Sequence, residues 1–194
     1  MSYLMLLMMF LCAPMVQPGD RVVLMGDSQA EGLSTVMPRL AAADDVALLP
    51  VFVTGSSVRQ WAEPVTQGWD LTAQWKTIRA FKPTVILVSL GSNDSYSGAQ
   101  VRDIDRPYLA GLLSMLEETG VRRVVWIGPP KLKRAETGLE SFADLVKSTG
   151  VRYYDSRTID IDMEPDQLHT TGKGRKVWGR WLWEKLQKDR ACGI

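Results

Sequence analysis

The sequence predicts an α/β protein: a three-layer α/β/α sandwich on a five-stranded parallel sheet. Three observations predict it. Five short apolar runs, rich in Val, Ile and Leu, recur between residues 20 and 154, each of the length of a buried strand. Stretches with helical spacing separate them, and alternating strands and helices imply right-handed crossovers with helices on both sheet faces. The loops after the first three runs contain Gly26-Asp27-Ser28, Gly55-Ser56 and Gly91-Ser92-Asn93-Asp94. On a parallel sheet all three open on the carboxyl-end edge, where such sheets form their sites.

The elements follow in order. Val22-Val23-Leu24-Met25 is the first strand, and Gln29–Ala43 reads as one helix. Val46–Val53 is the second strand. A looser region follows, carrying Trp61, Pro64, Gly68 and Trp69. Leu71–Phe81 is helical and stops before Pro83, because the residue preceding proline is pushed out of the helical region. Val85–Leu90 is the third strand. Asp105–Thr119 places Leu109, Leu112, Leu113 and Leu116 at helical spacing and closes at Gly120. Arg123–Ile127 is the fourth strand, followed by Gly128-Pro129-Pro130 and the basic loop Lys131–Arg134. Glu136–Thr149 is a helix, Val151–Tyr154 a short fifth strand, and an Asp-rich loop leads to His169. The last helix, Gly172–Lys188, carries Val177, Trp178, Trp181, Leu182 and Leu186 on one broad face.

Composition narrows the function. At 194 residues the chain suits one domain with a well-buried core, and its 45% apolar and 23% charged content is that of a globular protein. A net charge of +1 gives no reason to expect nucleic acid. The single histidine and the distant Cys12 and Cys192 argue against a zinc site and against a disulfide framework. Neither a Walker A pattern nor G-x-G-x-x-G occurs, so no nucleotide site is expected. No metal and no cofactor is therefore implied. Residues 1–16 are nearly all apolar, too short to span a bilayer comfortably, and followed by Pro18-Gly19. They resemble the apolar core of an export signal, although no Lys or Arg precedes them and no small-x-small cleavage site follows. The expected organisation is an apolar segment over 1–18, a signal or membrane tether of an exported protein, and one domain over 19–194. The alternative is an N-terminal segment packed on the domain.

Ser28 stands between a strand and a helix, so its hydroxyl lies at a strand end and its N–H at a helix start. Taken alone, Asp27 or Ser28 is more simply a helix cap. Asp166-Gln167-Leu168-His169 brings a carboxylate and the sole histidine into one short loop. A serine nucleophile needs such a base, and the base needs such an orienting group. Taken alone, that loop is more simply a surface cap of the last helix. Asn93 offers an amide to an oxyanion or serves as a turn residue, and Gly55 allows a close backbone approach or simply a turn.

Together these blocks resemble the SGNH hydrolases, the GDSL-type esterases: Gly26-Asp27-Ser28, Gly55, Gly91-Ser92-Asn93-Asp94 and Asp166-Gln167-Leu168-His169 occur in that family's order across residues 20–187. The sequence departs from the family pattern at Gln29 and in the Thr54-Gly55-Ser56-Ser57 context, where Ser56 is the alternative donor to Gly55. The resemblance implies a flavodoxin-like SGNH fold with Ser28 as nucleophile, His169 as general base and Asp166 as its orienter. It implies an oxyanion hole from the Ser28 N–H, the Gly55 N–H and the Asn93 amide, with no metal or cofactor. Asp27 and Asp94 are expected to fix loop geometry.

The competing α/β-hydrolase reading wants Gly-x-Ser-x-Gly at mid-chain, and Ala30 stands two residues past Ser28. A glycan-binding domain without catalysis is the non-enzymatic alternative. Within the family the expected substrate is a small-molecule or glycan ester, with short-acyl carbohydrate esters favoured. A lysophospholipase or acyl thioesterase is the alternative. Trp61 and Trp69 are candidates for stacking on a sugar, and the Lys131–Arg134 loop for meeting an acidic substrate.

Overall fold

The computed structural model describes residues 13–94, 101–133 and 136–191. Five strands form a parallel sheet: β1 (Arg21–Gly26), β2 (Ala47–Phe52), β3 (Val85–Ser89), β4 (Arg123–Ile127) and β5 (Arg152–Tyr154). Their spatial order is β2-β1-β3-β4-β5. The chain therefore steps from β1 out to β2, then returns past β1 to β3. That reversal is the switch point at which doubly wound sheets open a crevice, here at the carboxyl ends of β1 and β3.

Alternation along the strands sorts the core into two layers. Val22, Leu24, Val85, Leu87, Val125 and Ile127 pack on α1 (Ser28–Ser34), α2 (Met37–Ala43) and α7 (Gly172–Lys188). Val23, Met25, Ile86, Val88 and Trp126 pack on α3 (Val58–Ala62), α4 (Thr72–Phe81), α5 (Val101–Glu117) and α6 (Glu136–Lys147). Both faces of each central strand are thus covered, which is why the strands read as continuous apolar runs.

Several elements differ from expectation. The single helix expected over Gln29–Ala43 is two, broken at Thr35-Val36. Pro38 is the reason: inside one continuous helix it would delete a backbone bond and strike the preceding turn, whereas it is tolerated in the first turn of α2. The Thr35 hydroxyl donates to the Gly32 carbonyl and ends α1. The looser region after β2 contains α3, with Ser57 and Gln60 forming a capping box. It also contains a small antiparallel pair, Val65–Thr66 with Trp69–Asp70. The helix expected from Asp105 begins a turn earlier and holds Pro107 inside. Val177, expected on the buried face of α7, is 44% exposed.

The apolar segment expected over 1–18 divides. Ala13–Pro14 pairs antiparallel with Arg190–Ala191, and Met15 and Val16 are buried in the core. The fold therefore begins before residue 19. Residues 1–12, with Cys12, lie outside the described residues, as do Cys192 and Arg134.

Each end of β1 is held by a buried carboxylate. At the amino end Asp20 accepts from Arg123, from Arg122, from the Thr84 hydroxyl and from the Gln17 N–H. At the carboxyl end the chain passes so close to β3 that a Cβ on Gly26 would lie 2.0 Å from the Ser89 carbonyl oxygen. Only glycine fits there, and the next residue, Asp27, begins the site.

Candidate active site

Two loops from the switch point, those after β1 and β3, meet at Asp27. Its carboxylate is fully buried. Oδ1 accepts the Gln29 N–H at 2.8 Å, which caps α1. Oδ2 accepts the Ser92 hydroxyl at 2.7 Å and the Asn93 amide at 3.1 Å. The loop after β1 is thereby tied to the loop after β3. Burial raises the Asp27 carboxyl to about 6, against the opposing pull of the Ser92 and Gln29 hydrogen bonds. Asp94, also buried, accepts the Val58 N–H at 2.9 Å and so ties the loop after β3 to the start of α3. Its carboxyl is pushed up to about 8, first by burial and further by the nearby Asp105 and Asp27. Both aspartates hold loop geometry, as expected.

Ser28 is the first residue of α1 and half-buried. The loop between the short 3-10 turn at Ser156–Thr158 and α7 carries its partner across 141 positions of sequence: His169 Nε2 lies 3.2 Å from Ser28 Oγ. His169 Nδ1 lies 2.7 Å from Asp166 Oδ2. Asp166 Oδ1 accepts the backbone N–H groups of Leu168 and His169, both at 2.9 Å. The tight turn that allows this places Gln167 at φ 55°. The His169 N–H bond, then the imidazole bond and the Leu168 N–H, hold the Asp166 carboxyl down at about 2. It stays ionised and obliges Nδ1 to carry a proton, which leaves the Nε2 lone pair facing the serine.

The expected oxyanion groups fall as follows. Gly55 sits in the left-handed region at φ 80°, and no hydrogen bond among the described residues uses its N–H or that of Ser28. The Ser56 N–H donates to the Val53 carbonyl, and the Ser56 side chain is buried between that carbonyl and Trp61 Nε1. Ser56 is thereby removed as the alternative donor. The Asn93 amide nitrogen donates to the Ser56 carbonyl at 2.8 Å and to Asp27 at 3.1 Å. Both of its N–H directions are thus engaged within the protein.

Of the two tryptophans expected as candidates for stacking on a sugar, Trp61 is ruled out by its burial. Trp61 is fully buried, set edge-on to Trp75 with ring centroids 6.0 Å apart. Trp69 is half-buried, and its ring lies 3.9 Å from where a Gly55 side chain would begin. Leu132 of the basic loop is buried beside Leu139 and packs on Leu168, so that loop abuts the histidine loop.

One residue was missed. Gln29 is 2% exposed, and its Nε2 donates to the Leu168 carbonyl at 2.8 Å. The helix that begins at Ser28 thus holds the residue preceding the histidine. A glutamine directly after Ser28, where the family pattern has leucine or an acid, was the available signal.

Among the described residues no cluster of His, Cys, Asp and Glu is arranged to hold a metal ion. No protein-family model matches the chain, nor does any curated protein sequence. Solved structures do. The chain has the fold of the SGNH hydrolases, the GDSL-type esterases and lipases. Similar structures include a psychrotrophic esterase from Pseudoalteromonas (TM-score 0.66, 17% identity, covering 87% of this chain and 97% of that one). They also include an acetyl xylan esterase from Geobacillus stearothermophilus (0.62, 14%, 89% and 96%) and a GDSL-like lipase from Parabacteroides merdae (0.62, 14%, 89% and 97%).

Two predictions follow from the tethers. Gln29→Leu leaves the Leu168 carbonyl without its donor, a loss of about 1–2 kcal/mol. Because His169 is the only histidine, its imidazole Nδ1 proton gives one NMR signal, which is expected to broaden in the variant and stay sharp in the parent. Asp94 has a folded pKa above its unfolded value of 3.8, so its contribution to stability is full below that value and lost as pH rises towards about 8. Asp94→Asn keeps an acceptor for the Val58 N–H but cannot ionise. Between about pH 6.5 and 8.5 the thermal midpoint is expected to fall in the parent and stay nearly flat in the variant. Equal slopes would refute the assignment.

Proposed function

We propose that the chain is a serine hydrolase of carboxylic esters, acting on short-acyl, O-acetyl esters of carbohydrates. The observation that carries the hydrolase reading is the continuous Ser28–His169–Asp166 contact chain at the carboxyl edge of the sheet, at 3.2 and 2.7 Å. His169 Nε2 takes the Ser28 proton as Oγ attacks the ester carbonyl, and Asp166 stabilises the imidazolium that forms. The oxyanion is received by the N–H groups of Ser28 and Gly55. Asn93 joins them by exchanging its longer bond, to Asp27, for the oxyanion, while Ser92 remains on Asp27. His169 then gives its proton to the departing alcohol, and water activated by the same imidazole releases the acid from the acyl-enzyme.

The substrate class rests on the surroundings. The His169 and Asp166 side chains keep 37% and 49% of their exposure, so the triad lies at an open rim. Beside it Trp69 flanks Gly55, and the Thr54 hydroxyl donates to the exposed Glu31 carboxylate one turn along α1 from Ser28. An aromatic edge with hydroxyl and carboxylate groups suits the hydroxyls and apolar face of a sugar. An open polar rim suits a small acyl group. An acetyl xylan esterase among the similar structures agrees with this choice.

The test is a p-nitrophenyl ester series from acetate to palmitate, with fluorophosphonate labelling. Ser28→Ala and His169→Ala are expected to lower kcat/KM by about 10⁴-fold or more, and Ser28→Ala to abolish labelling. Asn93→Ala is expected to lower kcat about 10²–10³-fold. Unlabelled parent protein would defeat the hydrolase reading, and a preference for palmitate would defeat the short-acyl one. On acetylated oligosaccharides Trp69→Ala is expected to raise KM several-fold while p-nitrophenyl acetate hydrolysis is unchanged. Equal effects on both substrates would remove Trp69 from sugar binding.

A further inference from the structure

Glu31 lies one turn along α1 from Ser28. Residues three apart on a helix share a face, with about 5–6 Å between their Cβ atoms. The Glu31 side chain is exposed and reaches the loop after β2, where Oε2 accepts the Thr54 hydroxyl at 2.9 Å. Its Oε1 takes no hydrogen bond among the described residues. Thr54 is followed by Gly55, and the Trp69 ring stands 3.9 Å from where a Gly55 side chain would begin. The carboxylate and the half-buried indole thus flank one dipeptide. Ser28 stands across from that dipeptide, because the Val53 N–H donates to the Gly26 carbonyl and both chains run on two residues further.

Among the described residues no Lys or Arg forms an ion pair with Glu31. Arg175 lies against Gly32 and gives its Nε to the Thr170 carbonyl. Arg59 pairs with Glu63 and stacks on Tyr108. Lys131 and Lys133 belong to the loop beside Leu168, on the histidine side of Ser28. Asp166, the other carboxylate at the rim, is occupied by His169 and by two backbone N–H groups. Glu31 by contrast keeps an open oxygen. A glutamate in the first turn also favours the helix dipole, but that role needs neither Thr54 nor Trp69 beside it.

We propose that Glu31 and Trp69 form a subsite for a protonated amino group on the alcohol half of the ester, as on an amino sugar. Its part in turnover rests on the reading of Ser28 as the nucleophile; its binding of the amine does not. A carboxylate beside an indole suits an ammonium group. The charged N–H donates to the carboxylate, and the negative face of the ring attracts what the carboxylate leaves uncovered. A neutral hydroxyl at the same place gains an ordinary hydrogen bond, and a carboxylate on the sugar is repelled. With Glu31 on the same helix face as Ser28, the amine and the ester of one monosaccharide reach both places together. The acetyl group is then left to face the N–H groups of Ser28 and Gly55.

The test compares 6-O-acetylglucosamine with 6-O-acetylglucose, which differ only in an ammonium group replacing one ring hydroxyl. Binding is measured by calorimetry on the Ser28→Ala protein, which is expected to leave both esters intact. The amino ester is expected to bind about fivefold to tenfold more tightly at low salt, and the advantage to shrink at high salt. Adding Glu31→Gln keeps an acceptor for Thr54 and removes the charge. It is expected to bring the two affinities within about twofold of each other. Equal affinities without that substitution, or an advantage that survives it, would overturn the proposal. The same two esters given to the parent separate this result from the hydrolase reading. Hydrolysis of both at equal kcat/KM keeps the hydrolase and removes the subsite. Preferential binding of the amino ester by the Ser28→Ala protein, with neither ester cleaved by the parent, keeps the subsite and removes the hydrolase.

Discussion

The buried carboxylate of Asp27 holds together what the rest of the site is built on. Taking a carboxylate out of water is costly, and here the cost is offset by three donors from two separate loops: the Gln29 N–H, the Ser92 hydroxyl and the Asn93 amide. Gly26 brings β1 and β3 close enough for this to happen, since any side chain there would strike the Ser89 carbonyl. Asp94 extends the same device by one loop, to the start of α3. The three strand-end loops are therefore cross-braced by side-chain-to-loop hydrogen bonds, and Ser28, Gly55 and Asn93 inherit fixed places.

The histidine loop is braced differently. It arrives from far along the chain, and most of its own hydrogen bonds are local: two backbone N–H groups and the imidazole all converge on Asp166. An exposed carboxylate so surrounded is held ionised by local hydrogen bonds and not by burial. What ties this self-contained loop to the Ser28 helix is Gln29, reaching from the residue after Ser28 to the Leu168 carbonyl. The two catalytic candidates are thus connected both through the 3.2 Å contact between their side chains and through a buried amide behind them.

The central strand β1 ends in buried aspartates on both sides, and the two ends serve opposite purposes. Asp27 gathers neutral donors beneath the open rim that carries Ser28, His169 and Asp166. Asp20 gathers two guanidiniums and a threonine hydroxyl, which fixes the starts of β3 and β4 and holds arginines at the edge where the N-terminus enters. One parallel sheet thus carries the candidate site at its carboxyl edge and a salt-bridged brace at its amino edge.

Much of this was legible in the sequence because it is local. The runs over β1, β3 and β4 are apolar on both faces, and Arg123–Ile127 and Gly172–Lys188 were bounded as observed. Asp166 and His169 are three residues apart, so one turn suffices to join them. The Ser57-x-x-Gln60 box that starts α3 and the break that Pro38 imposes between α1 and α2 are local signals of the same kind. Long-range choices were not legible. Sequence alone determined which residue types stand at which strand ends, because strand and helix periods and turn residues act over a few positions. Only the tertiary structure decided that Trp61 is core and Trp69 lies at the rim, that Ser56 spends its N–H on Val53, that Asn93 faces Asp27, and that Gln29 holds Leu168. Each of those depends on which loop lies across the crevice, and that is set by the β2-β1-β3 strand order and by packing between segments far apart in the chain.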